Sequence, residues 1–179
     1  MDFIDRVMTD LIKTVVEYAP IAIEHPDDYE ARANLMWASS WALNGFVAAG
    51  VEQDVSCHAM EHELSAFYDI THGLGLAILT PRWLTYVLDE DTAPQIKKLG
   101  VDVFGTDVSL SDAEGAKAAI DALSDFFFNT LGLQSTLTEI GIDDSNFPLM
   151  AQKACAGGTL HGYKPLVPKD VEAIYRMCL

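Results

Sequence analysis

The stretch Asp2-Phe-Ile-Asp-Arg-Val-Met-Thr-Asp-Leu-Ile-Lys-Thr-Val-Val-Glu-Tyr18 sets apolar residues at Ile4, Val7, Met8, Leu11, Ile12, Val15 and Val16. Steps of three and four place all of them on one continuous helical face. The spacing predicts a helix over residues 2–18 that stops near Pro20, since proline lacks the N–H that a helix interior needs. No leader precedes this pattern, so the chain reads as the remainder of a longer one. Further on, residues 29–49 carry Ala31, Leu35, Trp37, Ala38, Trp41, Ala42, Gly45 and Phe46, apolar on most sides, as expected of a second helix buried in the middle of a bundle. A third helix follows Gly50 and runs to about Tyr68, with Asp69, Thr71 and Gly73 making a break. Later helices are expected at residues 92–104, 111–131, 147–156 and 168–177, with Ser111 and Glu114 spaced as a capping box. No stretch alternates with period two between hairpin turns. The fold class is therefore all-α, a helical bundle forming one domain over residues 1–179.

Three of the chain's five histidines, His58, His62 and His72, fall within fifteen residues. His58 and His62 stand four apart, so both imidazoles project from one side of a helix about one turn apart and could converge on one ion. A chain reversal at Gly73 would return His72 to the same point. Neutral imidazole suits zinc, iron, copper and nickel alike. The same spacing also suits a hydrogen-bonded polar stripe. His25 precedes a proline and is expected at the surface, and His161 sits in the loop string Ala156-Gly-Gly-Thr-Leu-His-Gly162. The glycines of Gly73-Leu-Gly75 are expected to allow close backbone packing, and no phosphate-loop ending accompanies them.

Eleven basic against 27 acidic residues give a formal charge of −16, which repels phosphate backbones and anionic membranes and argues against a nucleic-acid partner. Half the residues are apolar, as in globular proteins. Three cysteines, Cys57, Cys155 and Cys178, lack the spacing of a disulfide framework or a metal knuckle, which points to a reducing cytoplasm. No apolar run is long enough to span a membrane.

Together, Tyr29-Glu-Ala-Arg-Ala-Asn-Leu-Met-Trp-Ala-Ser-Ser40, Cys57-His58, the block from His62 to Gly73 and Leu76-Ala-Ile-Leu-Thr-Pro81 resemble the iron-containing alcohol dehydrogenases. Within that family the nearest branch looks like the NADPH-dependent butanol dehydrogenases, and the resemblance extends through Gly162-Tyr-Lys-Pro-Leu166. It implies a two-domain enzyme in which an amino-terminal α/β domain binds NADPH or NADH. A carboxy-terminal helical domain of the dehydroquinate synthase type holds a divalent metal, Fe2+ or Zn2+, and this chain looks like that second part.

In the family an Asp-x-x-x-His motif and two histidines fourteen apart ligate the ion. His58 and His72 match the latter pair, and His62 matches a histidine beside the metal, implicated in substrate positioning or proton transfer. The Asp-x-x-x-His pair is expected ahead of Met1. The resemblance further implies hydride transfer between the nicotinamide and a small alcohol or aldehyde, with little activity and weak metal binding for this chain without the cofactor-binding domain. Trp37, Trp41, Phe67 and Tyr68 could line a pocket, although helical spacing suits core residues as well. The alternative is a stand-alone helical module for oligomerisation or partner binding without catalysis. The surface that the cofactor domain would cover should then expose apolar residues and favour a homo-oligomer.

Overall fold

A computed structural model describes residues 2–50 and 54–179. Eight α-helices account for most of them: α1 (Asp2–Glu24), α2 (Tyr29–Leu43), α3 (Ser56–Tyr68), α4 (His72–Val87), α5 (Ala93–Leu99), α6 (Asp112–Asp125), α7 (Phe147–Ala154) and α8 (Pro168–Met177). Among the described residues there is no β-strand, and one antiparallel bridge joins Leu160 to Leu166. The all-α expectation holds. The expected helices over 92–104 and 111–131 are each an α-helix continued by a π turn, Gly100–Phe104 after α5 and Phe126–Thr130 after α6. The capping box at Ser111 forms, with the Ser111 hydroxyl accepting from the Glu114 N–H and the Glu114 carboxylate accepting from the Ser111 N–H.

Apolar positions on α3, α4, α6, α7 and α8 meet in one core that includes Met60, Leu64, Ile78, Leu79, Phe147, Met150, Ile174 and Tyr175. The Tyr175 hydroxyl donates to the Met60 carbonyl at 2.7 Å, in the middle of α3. Its ring lies 5.3 Å from that of Phe147. From α4 the Tyr86 hydroxyl donates to Asp170 at 2.7 Å, tying α4 to the first turn of α8. These bonds fix α3 and α4 against the rest of the core, and α3 and α4 carry the histidine cluster.

Two expectations fail in the first fifty residues. Pro20 lies inside α1, which continues to Glu24. The ring's φ is compatible with a helix, so the cost is one missing hydrogen bond near the end of a long helix rather than a stop. The second correction is larger. α2 ends at Leu43, with the Asn44 N–H capping onto Ser40. It is not buried in the middle of a bundle, because only Ala31 and Ala38 are buried, while Tyr29 (78%), Met36 (71%), Trp37 (67%) and Leu43 (87%) stand open. Its main packing is against α1. An apolar cavity of about 280 Å³ separates this hairpin from the α6 end, lined by Val15, Val16, Ala42, Phe104, Leu123 and Phe127 among others.

Candidate metal centre

A three-residue turn separates α3 from α4. Asp69 closes α3 in the left-handed region at φ 52°, its N–H bonding to the Ser65 carbonyl, and Thr71 leads in extended conformation into His72, the first residue of α4. Placing His72 at a helix start immediately after a reversal returns it to the helix that bears His58 and His62. The His72 ring centroid lies 5.3 Å from that of His58 and 5.5 Å from that of His62, and the His58 and His62 rings are 6.1 Å apart. One donor nitrogen from each of the three lies within 4.8 Å of the others, and all three side chains are exposed. Burial, followed by the neighbouring His72 and His62, pushes the His58 pKa below its ordinary value, which favours the neutral imidazole that a ligand must be.

Sequence reasoning missed Glu61. It is fully buried, with Oε1 accepting from the Ser65 hydroxyl at 2.6 Å and Oε2 paired with His72 Nδ1. With Nδ1–H donating to the carboxylate, Nε2 is the nitrogen of His72 left to serve an ion. A carboxylate behind a histidine is how ligand imidazoles are oriented, yet Glu61 and His72 stand eleven residues apart and no spacing rule links them. Gly75 completes the arrangement. A Cβ there would meet Glu61 Cγ and Oε1 at 2.7 Å, which bears out close packing at Gly75, whereas a Cβ on Gly73 would meet nothing within 4 Å. Gly75→Ala is therefore expected to cost about 1–3 kcal/mol by overpacking. A thermal melt checks this, and an unchanged midpoint would show that Glu61 can move.

The other sequence candidates fall outside the cluster. His25 is exposed beside Glu24, and His161 is exposed in its loop. That loop is held to the start of α3 by Asp54, which accepts from the Tyr163 N–H at 2.7 Å and from the Ser56 N–H at 2.8 Å. Asp54 and His58 form one Asp-x-x-x-His string within this chain. The Asp54 carboxylate accepts from those two backbone amides and does not belong to the convergent group of His58, His62 and His72. Cys57 is a half-buried free thiol with its pKa pushed up to about 12 by burial, and Cys155 and Cys178 are free and buried. Phe67 and Tyr68 pack partly buried against the core, while Trp37 and Trp41 lie on the outside of α2.

The model of the Fe-containing alcohol dehydrogenase family, C-terminal, matches residues 1–179. NADH-dependent butanol dehydrogenase B of Clostridium acetobutylicum is 46% identical over 174 residues, which cover 96% of this chain and 45% of that protein. The NADPH-dependent aldehyde reductase YqhD of Escherichia coli is 36% identical over 149 residues, covering 83% of this chain and 38% of the relative. A solved structure of that reductase without substrate or cofactor superposes with a TM-score of 0.91 at 31% identity, over 100% of this chain and 47% of the other. A Thermotoga maritima NADH-dependent butanol dehydrogenase A gives 0.88 at 31% identity, over 98% of this chain and 46% of the other. The chain thus spans about 45% of the length of the first curated relatives it matches. Helical fold and sequence agree that it belongs to the Fe-containing alcohol dehydrogenase family and corresponds to the family's C-terminal part.

Proposed function

We propose that this chain is the metal-holding part of an iron-type alcohol dehydrogenase acting on small alcohols and aldehydes, with His58 and His72 as ligands. The observation that carries it is the convergence of three imidazole donors within 4.8 Å, one of them braced by a buried carboxylate. This donor set suits Fe2+ or Zn2+ and leaves room for further ligands, as a catalytic rather than a closed structural site requires. When bound, a divalent ion supplies Lewis acidity that lowers the pKa of an alcohol hydroxyl. Glu61 holds the His72 ring in its tautomer. His62, exposed beside the other two rings, exchanges the substrate's hydroxyl proton with water, a role that imidazole performs near neutral pH. NADPH or NADH is held by the amino-terminal portion of longer family members, so this chain alone turns over no alcohol.

Metal titration of the chain, with Zn2+ and with Fe2+ under anaerobic conditions, tests the assignment. His58→Ala is expected to lose binding, whereas His62→Ala keeps affinity within about tenfold, below the range set by loss of a tight outer partner. Equal losses in both variants would make His62 a ligand, and no binding by the parent chain would leave the cluster without a metal role here. A second reading, a helical module that works by self-association without catalysis, draws support from the open apolar side of α2.

A further inference from the structure

We infer that Asp54 is a positioning residue that links the glycine-rich loop after α7 to His58, so that an ion at the α3–α4 corner and the seated loop strengthen one another. The inference rests on the histidine assignment above and adds to it a residue outside the imidazole cluster. One carboxylate serves two elements. Its Oδ1 accepts from the N–H of Ser56, which opens α3 and stands two residues ahead of His58. Val55 before that turn makes no side-chain cap, so Asp54 supplies both the acceptor and the negative charge that a helix start favours. Its Oδ2 accepts from the Tyr163 N–H at 2.7 Å, at the tip of the loop. Gly162 lies so close that a Cβ there would overlap the carboxylate. His161, its exposed neighbour, is thereby set at the His58 end of α3.

The other polar and ring contacts of this loop run to itself and towards α4. Leu160 and Leu166 exchange both backbone bonds at 2.9 Å and close its base, with Leu166 buried. The Tyr163 ring lies 5.7 Å from that of Trp83 on α4, and Lys164 pairs with Asp89, just past the end of α4, at 2.5 Å. Losing the Asp54 contacts therefore leaves the loop attached while freeing it from the turn that presents His58. That turn matters because the two ligands are held differently. Glu61 aims the His72 ring, whereas no carboxylate pairs with His58 among the described residues, so the aim of His58 depends on its backbone turn. Linkage is reciprocal: whatever factor the Asp54 contacts add to ion affinity, a bound ion adds to the hold on the loop.

Two measurements on the whole chain test this, zinc affinity by competition against a chelator and hydrogen exchange of the Tyr163 N–H. Asp54→Ala and Gly162→Ala break the same contact from its two sides, and each is expected to lower Zn2+ affinity at least about fivefold, the low end for coupled sites. Asp54→Asn keeps an acceptor and should fall between the parent and Asp54→Ala, which covers the case of an alanine variant that does not fold. Lys164→Met loosens the loop on its α4 side and should leave zinc affinity unchanged. In the parent, saturating zinc should slow Tyr163 exchange by the factor that Asp54→Ala costs in affinity, and in His58→Ala it should not. A lowered melting midpoint with unchanged affinity in the Asp54 and Gly162 variants makes the contact structural only and overturns the proposal. An equal loss in Lys164→Met, or Tyr163 exchange indifferent to zinc, overturns it too. A parent chain that binds no zinc would fail the histidine assignment and this link together, a result distinct from a parent that binds zinc and is indifferent to Asp54.

Discussion

Replacing His72 with alanine is expected to lower Zn2+ affinity by at least about 100-fold, since loss of an outer partner alone costs up to about 100-fold and loss of a ligand costs no less. Two effects combine. One donor leaves the convergent trio, and Glu61 Oε2 loses the one hydrogen-bonding partner it has among the described residues while remaining fully buried. A buried acceptor left without a partner costs about 1–3 kcal/mol, so the apo protein should melt earlier as well. Glu61→Gln separates the two effects, because it keeps the ligand nitrogens and alters only what braces His72, with an expected loss of about 10–100-fold in affinity. Competition against a chromophoric chelator measures both variants. An unchanged affinity in His72→Ala would remove that residue from the site.

Tyr175→Ala is expected to be among the most destabilising single changes in the chain, at about 3–5 kcal/mol, because it empties a fully buried aromatic site. In a domain of this size that corresponds to a fall of about 6–20 °C in the melting midpoint. Tyr175→Phe keeps the ring beside Phe147 and removes only the hydroxyl, so about 0.5–1.5 kcal/mol should be lost. The hydroxyl donates to the carbonyl of Met60, midway between His58 and His62, and α8 thereby holds in place the turn of α3 that presents both imidazoles. Metal affinity in Tyr175→Phe should accordingly fall less than stability suggests, since the core still positions α3. Equal melting midpoints for the parent and Tyr175→Ala would contradict the packing described here.

Local rules of sequence carried the reading of single elements well. Ser111 with Glu114, Asp69 at the end of α3, and proline at the first position of α8 are signals that neighbouring residues settle among themselves, whereas the helix expected to end at Gly50 stops at Leu43 and Gly73 lies inside α4. The convergence of His58, His62 and His72 was legible for the same reason, since one helical turn and one short reversal suffice to bring them together. Glu61 was not legible. Its partner arrives from the next helix, and in the sequence it looks like any acidic residue flanking a histidine. Pro20 shows the limit of a stop signal, which has a cost that a long helix can absorb near its end. α2 shows a different limit. A hydrophobic pattern records what a helix is suited to bury against, and it does not say whether that neighbour belongs to the same 179 residues.

The proposed function rests on His58 and His72, braced by Glu61, holding a divalent ion at the α3–α4 corner. Crystals of the chain grown with Zn2+ and measured on both sides of the zinc absorption edge test it most directly. An anomalous peak is expected at the usual zinc–imidazole distance of about 2.0–2.1 Å from His58 and from His72 Nε2, with the Glu61 carboxylate still on His72 Nδ1. An anomalous map without density between those rings, at full zinc loading, would contradict it.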